Sequence, residues 1–429
     1  MAPQILGMGK ILSDESLRRA LARLAPDQGR RCDPVEREAR ARQLARTTEW
    51  MDGALAESSG EALLTPWILD TDTTVKVLYG SQKGAEVGYN PTKPGRPSHT
   101  LHTYWIGNLR LVVDVEVQSG KKHAGTHSLP RLGVRLEQRP PEKRPALVRG
   151  DAAFGNEVVM SHLEGLAQRY LFKLRQTPGA RRLIERLWRQ SDWQDIGQGL
   201  HAAESPLRLA GWSQARRVIV LRRRLRSALL AEADSAGPQQ TLQFIDRSEA
   251  IKLWEYEVLV TNGDHSLEAI GQLYRDRADS ENGFDELKNQ WGWGGYTTHD
   301  LERCNLSARA VALIYNWWNW YVRLAEPKKH LEAITSRPLL LTGVARLTRH
   351  AGQARLLVTL CHAAGDHIRT MIARIRKGLS HVLDTAPQLP KHGRWPALMR
   401  YIIDRILSAK PKVSPAPALA PSHLTMNSA

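Results

Sequence analysis

The chain has 429 residues, 42% of them hydrophobic, and its 61 Lys and Arg against 44 Asp and Glu give a formal charge of +17. Length and apolar content support two or three packed units and exclude wholesale disorder, and with no apolar run of about 18 residues an ordinary membrane-spanning helix is excluded too. A basic excess of this size favours a polyanionic partner, nucleic acid first, although an arginine-rich composition also serves solubility.

No signal peptide or lipidation motif is read. Cys32, Cys304 and Cys361 are odd in number and far apart, which fits a reducing cytoplasm rather than a disulfide framework. His123 and His127 are four apart but have Gly125 between them and no further ligands beyond, so they read as loop or DNA-facing histidines rather than zinc ligands.

In chain order, residues 1–63 read as polar helices, with Ser13 capping a run carrying Leu17, Leu21 and Leu24 and Asp33 capping a second. Residues 67–78 are β-branched and strand-like, and 84–98 form a Gly/Pro loop carrying Lys93 and Arg96. Strands follow near 99–106 and 109–117, a helix or irregular stretch near 125–138, a strand at 146–151, a helix at 156–169 and a strand at 170–174. Three strands, helix, strand, helix, strand is the order expected of an RNase H-like layered α/β domain. Residues 176–263 interrupt it with a short helix and strand-like runs at 207–225, 240–247 and 254–261. A helix over 267–290 resumes the core, one over 305–325 carries Trp317, Trp318 and Trp320 as packing residues, and further helices fill 335–408. The Pro/Ala/Ser tail from Lys410 reads as disordered.

The chemistry concentrates on four residues of the 267–290 helix. Tyr274, Arg277, Glu281 and Lys288 lie within roughly 60° of one another on a helical wheel, a stripe about 20 Å long. A hydroxyl, a carboxylate and two cations on one face suit either solvent or a phosphate backbone with a metal beside it. Leu273, Phe284 and Leu287 form an apolar seam to one side, Ser266 is the expected N-cap, and Gly292 to Gly295 end the helix. Upstream, Asp70 and Asp72 share one face of the first strand, and Asp151 directly follows the fourth. If those strands are neighbours, Asp72 and Asp151 converge and the helix brings Glu281 over them, a set suited to two Mg²⁺ or Mn²⁺ ions. Asp70 is the substitute if Asp72 points away. Arg216, Arg217, Arg222, Arg223, Arg224 and Arg226 read as a DNA-phosphate platform or as a charged edge strand, and Lys93 and Arg96 as candidate DNA contacts.

The run from Tyr274 to Lys288 resembles the tyrosine–arginine–glutamate–lysine signature of bacterial insertion-sequence transposases. Asp72-Thr-Thr and Arg149-Gly-Asp151 resemble the two aspartate motifs of their DDE triad. The runs Gly88–Ser98 and Glu286–Gly294 resemble the subgroup with a transposase DDE domain of group 1. The resemblance spans about residues 64–325. It implies a catalytic domain over 64–325 interrupted by a β-rich insertion over 176–263, an N-terminal helical DNA-binding region over 1–63, a C-terminal helical region over 326–409 and a disordered tail over 410–429. It also implies metal binding by Asp72, Asp151 and Glu281, phosphate contacts by Tyr274, Arg277 and Lys288, and base stacking by Trp254. The expected activity is cutting of double-stranded DNA at element ends and joining to target DNA. A dimer on paired ends would carry it out, in the cytoplasm and associated with the nucleoid. The family has a longer region before its first aspartate than the 71 residues here, so a truncated or silent DNA-binding copy is one alternative. A related RNase H-like nuclease or resolvase is the other.

Overall fold

The computed structural model describes residues 13–27, 33–91, 93–190, 192–225, 251–295, 298–341, 345–358, 364–385 and 391–409. Its contacts divide the chain into two units, Met1–Asn319 and Trp320–Ala429.

In the first unit, Ser13 caps α1 (Asp14–Leu24) by accepting from the Ser16 amide, and Asp33 caps α2 (Pro34–Ser59) by accepting from Glu36, as short oxygen side chains do at helix starts. Then come β1 (Ile68–Val77), β2 (Glu86–Val87), β3 (Pro97–Ile106), β4 (Leu111–Ser119), α3 (Ala124–Glu137), β5 (Leu147–Gly150), α4 (Glu157–Gly165) and β6 (Tyr170–Lys173). β4 pairs antiparallel with β3 and β3 with β1, whereas β1, β5 and β6 are parallel. The strand path β4-β3-β1-β5-β6 is the RNase H-like sheet expected from the sequence.

The segment after β6 holds α5 (Pro178–Gln190), β7 (Gln194–Asp195), β8 (Leu200–Leu207), β9 (Arg216–Arg224) and β10 (Trp254–Thr261). These strands prolong the same sheet: β10 pairs antiparallel with β6, and β9, β8 and β7 follow outward. Of the run expected over 207–225 only Arg216–Arg224 is strand; β8, earlier in the chain, ends at Leu207, and in the loop between them Gly211 has φ +85°. The run at 240–247 lies outside the described residues.

The helix expected over 267–290 is broken into α6 (Leu267–Arg275) and α7 (Ala278–Gln290). The Arg277 amide reaches back three residues to the Tyr274 carbonyl, 3.2 Å, where an α-helix would reach back four. Packing explains the break. Leu273 on α6 joins a cluster with Leu147, Ile219, Leu259 and Ile270, while Phe284 and Leu287 on α7 join Trp105, Val112, Leu313 and Tyr315. The apolar seam is therefore divided between two clusters. Ser266 caps α6 as expected, and α7 ends with the Trp293 and Gly294 amides reaching back to Leu287 and Lys288, Gly292 having φ +84°.

Met51 and Leu55 of α2 are buried in the Trp105 cluster, so the amino-terminal helices pack on the sheet beside α7 and α8 (Leu301–Ala325). Trp318 packs edge-on against Trp291, but Trp317 is half exposed rather than core.

The division between units falls inside α8. The second unit contains α9 (Ala333–Leu340), a hairpin of β11 (Ala345–His350) and β12 (Gln353–Val358), α10 (Gly365–Thr385) and α11 (Lys391–Ala409). The hairpin stands where helix was expected; its two-residue turn, Ala351-Gly352, has both φ angles positive, the geometry that joins twisted antiparallel strands. Ile368 is fully buried within this unit, together with Met371, Met399 and Ile402. The tail from Lys410 lies outside the described residues, as do Cys32 and Cys361.

Candidate active site

The site is assembled by the parallel pairing of β1 with β5. Asp70 lies opposite Arg149 and Thr71 opposite Gly150, so the next residues on each chain, Asp72 and Asp151, stand side by side on the same face. Neighbouring strands lie about 4.8 Å apart, which puts the two carboxylates on adjoining backbones. Asp72 is within β1 rather than at its end, because β1 runs on beyond β5.

Asp70 and Asp72 share that face but not its environment. The Asp70 carboxylate takes two hydrogen bonds from Arg149, at 2.6 and 2.7 Å, and both side chains are buried. Gly107 makes room for the pair; a Cβ there would stand 2.1 Å from Asp70 Oδ2. Arg149 also donates to the Leu273 carbonyl, tying the end of α6 to β5. This corrects the option of Asp70 as first metal ligand: it is an anchor sealed under the helix.

Asp72 instead accepts from its neighbour Thr73's amide at 2.7 Å and from Arg277 Nη2 at 2.7 Å. Asp151 accepts from the Ala153 amide at 2.9 Å, which shapes the turn after β5. Gly150 lets Phe154 close under that turn, a Cβ there lying 2.9 Å from the Phe154 ring.

The helix break reorders the expected stripe. Arg277 is paired with Asp72 and lines a cavity of about 300 Å³ with Tyr274, Arg222 and Arg223. Burial lowers its affinity for a proton, but Asp72, Asp151 and Asp70 outweigh that and leave it firmly charged. The Tyr274 hydroxyl donates to Glu257 at 2.8 Å, and Lys173 meets the same oxygen at 2.8 Å. Burial and then Glu257 push the Tyr274 hydroxyl up to about 12, so it stays protonated as a donor. Lys288 is half-buried and lines a cavity of about 550 Å³ together with Asp151, Thr73, Lys121, Lys122 and Arg175. Burial lowers its ammonium, opposed by Asp285 and Asp72.

Glu281 lies on α7, one turn after Arg277, and its side chain lies outside the described residues. The depth of its helix is set by Gly283, where a Cβ would stand 3.0 Å from the Trp105 ring, and by the edge-on packing of Trp105 on Phe284 at 5.5 Å. Among the described residues no group of three His, Cys, Asp or Glu is placed to hold a metal.

The other candidate contacts divide. Lys93 and Arg96 are exposed and gather over the Tyr79 ring, at 5.0 and 5.7 Å. The arginines of β9 have internal partners, and Arg222 and Arg223 also line the cavity of about 300 Å³ with Tyr274, Arg275 and Arg277. Arg216 is buried against Glu157 and Glu164, Arg217 binds Glu204, and Arg223 binds Glu255. Arg222 sits among three indoles, 4.1 Å from the Trp193 ring, 4.3 Å from Trp254 and 5.0 Å from Trp188, where cation–π attraction replaces solvent. Arg224 lies 5.7 Å from the same Trp254 ring. Trp254 therefore faces arginines and the edge of His201. Arg226 lies outside the described residues. Reasoning from sequence missed the lysines and arginines lining the cavity, Lys121, Lys122 and Arg175; the first two directly precede His123, and only the fold brings Arg175 beside them.

The family model of the transposase DDE domain, group 1, matches residues 8–379. No curated protein matches the chain. Among solved structures, a cryo-EM structure of a piggyBac transposase synaptic complex with hairpin DNA is similar at 13% identity and a TM-score of 0.34, over 82% of this chain. This chain spans 59% of the length of that one.

Proposed function

Because the chain belongs to the transposase DDE domain group 1 family, we propose that it cuts DNA at the ends of a bacterial insertion sequence and joins those ends to target DNA. The observation that carries this reading is the parallel pairing of β1 with β5, which brings Asp72 beside the turn that starts at Asp151, with Asp151 and Lys288 lining one cavity. Hard carboxylate oxygens at the open edge of a sheet fit Mg²⁺ or Mn²⁺, with Asp72, Asp151 and Glu281 as the residues that would hold two ions. Metal bound there supplies Lewis-acid activation of the attacking oxygen and charge neutralisation at the leaving one.

The chain's own residues do the rest. Arg277 pairs with Asp72 and fixes its orientation. Lys288 meets a phosphate oxygen of the bound strand inside the cavity it shares with Asp151. Tyr274, held by Glu257, supports the wall beside Arg277 rather than reaching for the backbone. The tested form is a plasmid carrying the repeats that flank the gene, incubated with Mg²⁺. Wild type cuts at the repeats, and Glu281→Gln retains DNA binding but loses cutting. Near-normal cutting by that variant would remove Glu281 from the ligand set, and binding without cutting by the wild type would mark a silent copy. The working species is a dimer on paired ends, acting in the cytoplasm.

A further inference from the structure

We propose that a second, larger groove seats the phosphodiester backbone of the DNA as it runs on past the reacting carboxylates. The inference rests on the transposase reading and adds to it a named binding surface.

A cavity of about 930 Å³ opens beside the one that holds Asp151 and Lys288. The two share His123, Ala152, Ala153 and Arg175 in their linings, so the surface is continuous from the turn after β5 outward. The larger groove carries Arg175, Arg182, Arg186 and Arg208, and all four are exposed. Arg182 and Arg186 are one helical turn apart on α5 and so present guanidiniums on one face. The intramolecular hydrogen bonds of Arg186 to Ser205 (2.9 Å) and of Arg208 to the Trp212 carbonyl (3.1 Å) each use one nitrogen. A guanidinium has five N–H donors, so those bonds orient the side chains and leave further donors for phosphate oxygens.

The amino end of α5 adds to the same field. Thr177 caps it, accepting from the Ala180 amide at 3.4 Å, and Pro178 and Gly179 line the groove. Gly179 allows the Leu209 loop to close the far wall, since a Cβ there would stand 2.6 Å from Leu209. The carboxylate in the lining, Glu157, is turned to Arg216 at 2.6 Å and to the Ser213 amide at 3.1 Å. The contrast with β9 is the deciding point. There the arginines meet acids and indoles of their own fold, whereas the groove arginines point into a concave, acid-poor surface that begins at the catalytic turn.

The test uses fluorescence anisotropy with mixed-sequence duplexes of graded length, titrated over a range of salt. Arg182→Ala/Arg186→Ala/Arg208→Ala, on exposed positions, should flatten the slope of log affinity against log salt by about two to three units on long duplexes, at about 0.9 for each phosphate the variant no longer neutralises. Affinity at moderate salt should fall at least about tenfold. On duplexes too short to reach both cavities, variant and wild type should bind alike. The triple Lys variant, which keeps the charges, should restore most of the slope. An unchanged slope on long duplexes overturns the proposal, and so does an equal loss at every length, which would mark a diffuse charge effect. Cutting by the wild type in Mg²⁺ is measured alongside. A changed slope without cutting sustains the groove and sinks the catalytic reading; cutting with an unchanged slope does the reverse.

Discussion

Two carboxylate–arginine sites in the first unit use the same residue types to opposite ends. In one, Asp114 of β4 and Asp52 of α2 are shared among Arg131, Arg135 and Arg309, at 2.6 to 3.1 Å where Asp114 is concerned. Asp114 and the Arg309 side chain are 0% and 4% exposed, and the cluster joins α2, β4, α3 and α8. Burial raises the Asp114 carboxyl, but Arg309, Arg135 and Arg131 outweigh it and hold it below its ordinary value. In the other, Asp151 lines a cavity and Asp72, 17% exposed, is met by Arg277. Asp114, enclosed by three guanidiniums, fixes the fold while Asp52 at the rim is 34% exposed, and Asp151, which lines a cavity, is available to something from outside. The difference is one of enclosure rather than of residue type.

The largest effect that would sharpen this contrast is on activity. Asp151→Asn keeps the acceptor for the Ala153 amide but removes the charge. Cutting should fall about a thousandfold or more, equivalent to roughly 4 kcal/mol of barrier. The denaturation free energy should move by no more than about 0.5 kcal/mol. A clear loss of stability would make Asp151 a structural residue like Asp114 and erase the distinction.

At the enclosed site the expectation inverts. Asp114→Asn leaves three guanidiniums around a neutral group and should cost about 3–5 kcal/mol, read from urea midpoints. If the cost were below about 1 kcal/mol, within the range of an exposed ion pair, the cluster would be ornamental to stability.

The Asp72 and Asp151 site was legible in part, and the Asp114 cluster was not. Asp72, Asp151, the caps at Ser13 and Asp33, and the strand order are set by local patterns: an acid at fixed places beside β-branched runs, a hydroxyl or carboxylate before a helix. The distinction between Asp70 and Asp72 was not local. They are two residues apart on one face, and only the register against Arg149 and the space at Gly107 separate an anchor from a candidate ligand. The helix break at Asp276 and Arg277 was hidden for the same reason, because it follows from docking two halves on different clusters. The Arg222 cage draws Trp188, Trp193 and Trp254 from α5, the chain after it and β10, a convergence that no spacing announces. The hairpin turn Ala351-Gly352 was obscured by an alanine at a position that usually takes Asn, Asp or Gly.

Acid should reach a third buried polar site before it reaches Asp114. His102 is buried, hydrogen-bonded to Ser128 at 2.6 Å and Thr100 at 3.0 Å, and burial, then His127 and His123, push it from its ordinary 6.5 down to about 4. Between those values the unfolded chain binds a proton that the folded chain does not. Stability therefore falls as pH drops from 6.5 towards 4, by about 3 kcal/mol at most. The Asp114 contribution, from a lowered carboxyl, is lost only as pH falls below the ordinary 3.8. His102→Gln should flatten the upper window in melts taken across pH. A profile that stays steep there would assign the acid sensitivity to another group.

The smallest expected effect tests how open the catalytic edge is. Lys288 lines the cavity with Asp151, whereas Arg277 is closed onto Asp72 at 2.7 Å. An ammonium that meets a phosphate releases a counterion, so Lys288→Ala should flatten the salt dependence of DNA binding by about 0.9 unit. Arg277→Ala should leave that slope nearly unchanged, because its charge is already spent within the protein, and should lower cutting by loosening Asp72. Measured on one duplex across one salt series, the two variants carry the same formal change of charge, so only placement distinguishes them. Equal slopes for the two would mean that Arg277 leaves Asp72 when DNA arrives, and the edge would then be an ion-pair switch rather than a preformed site.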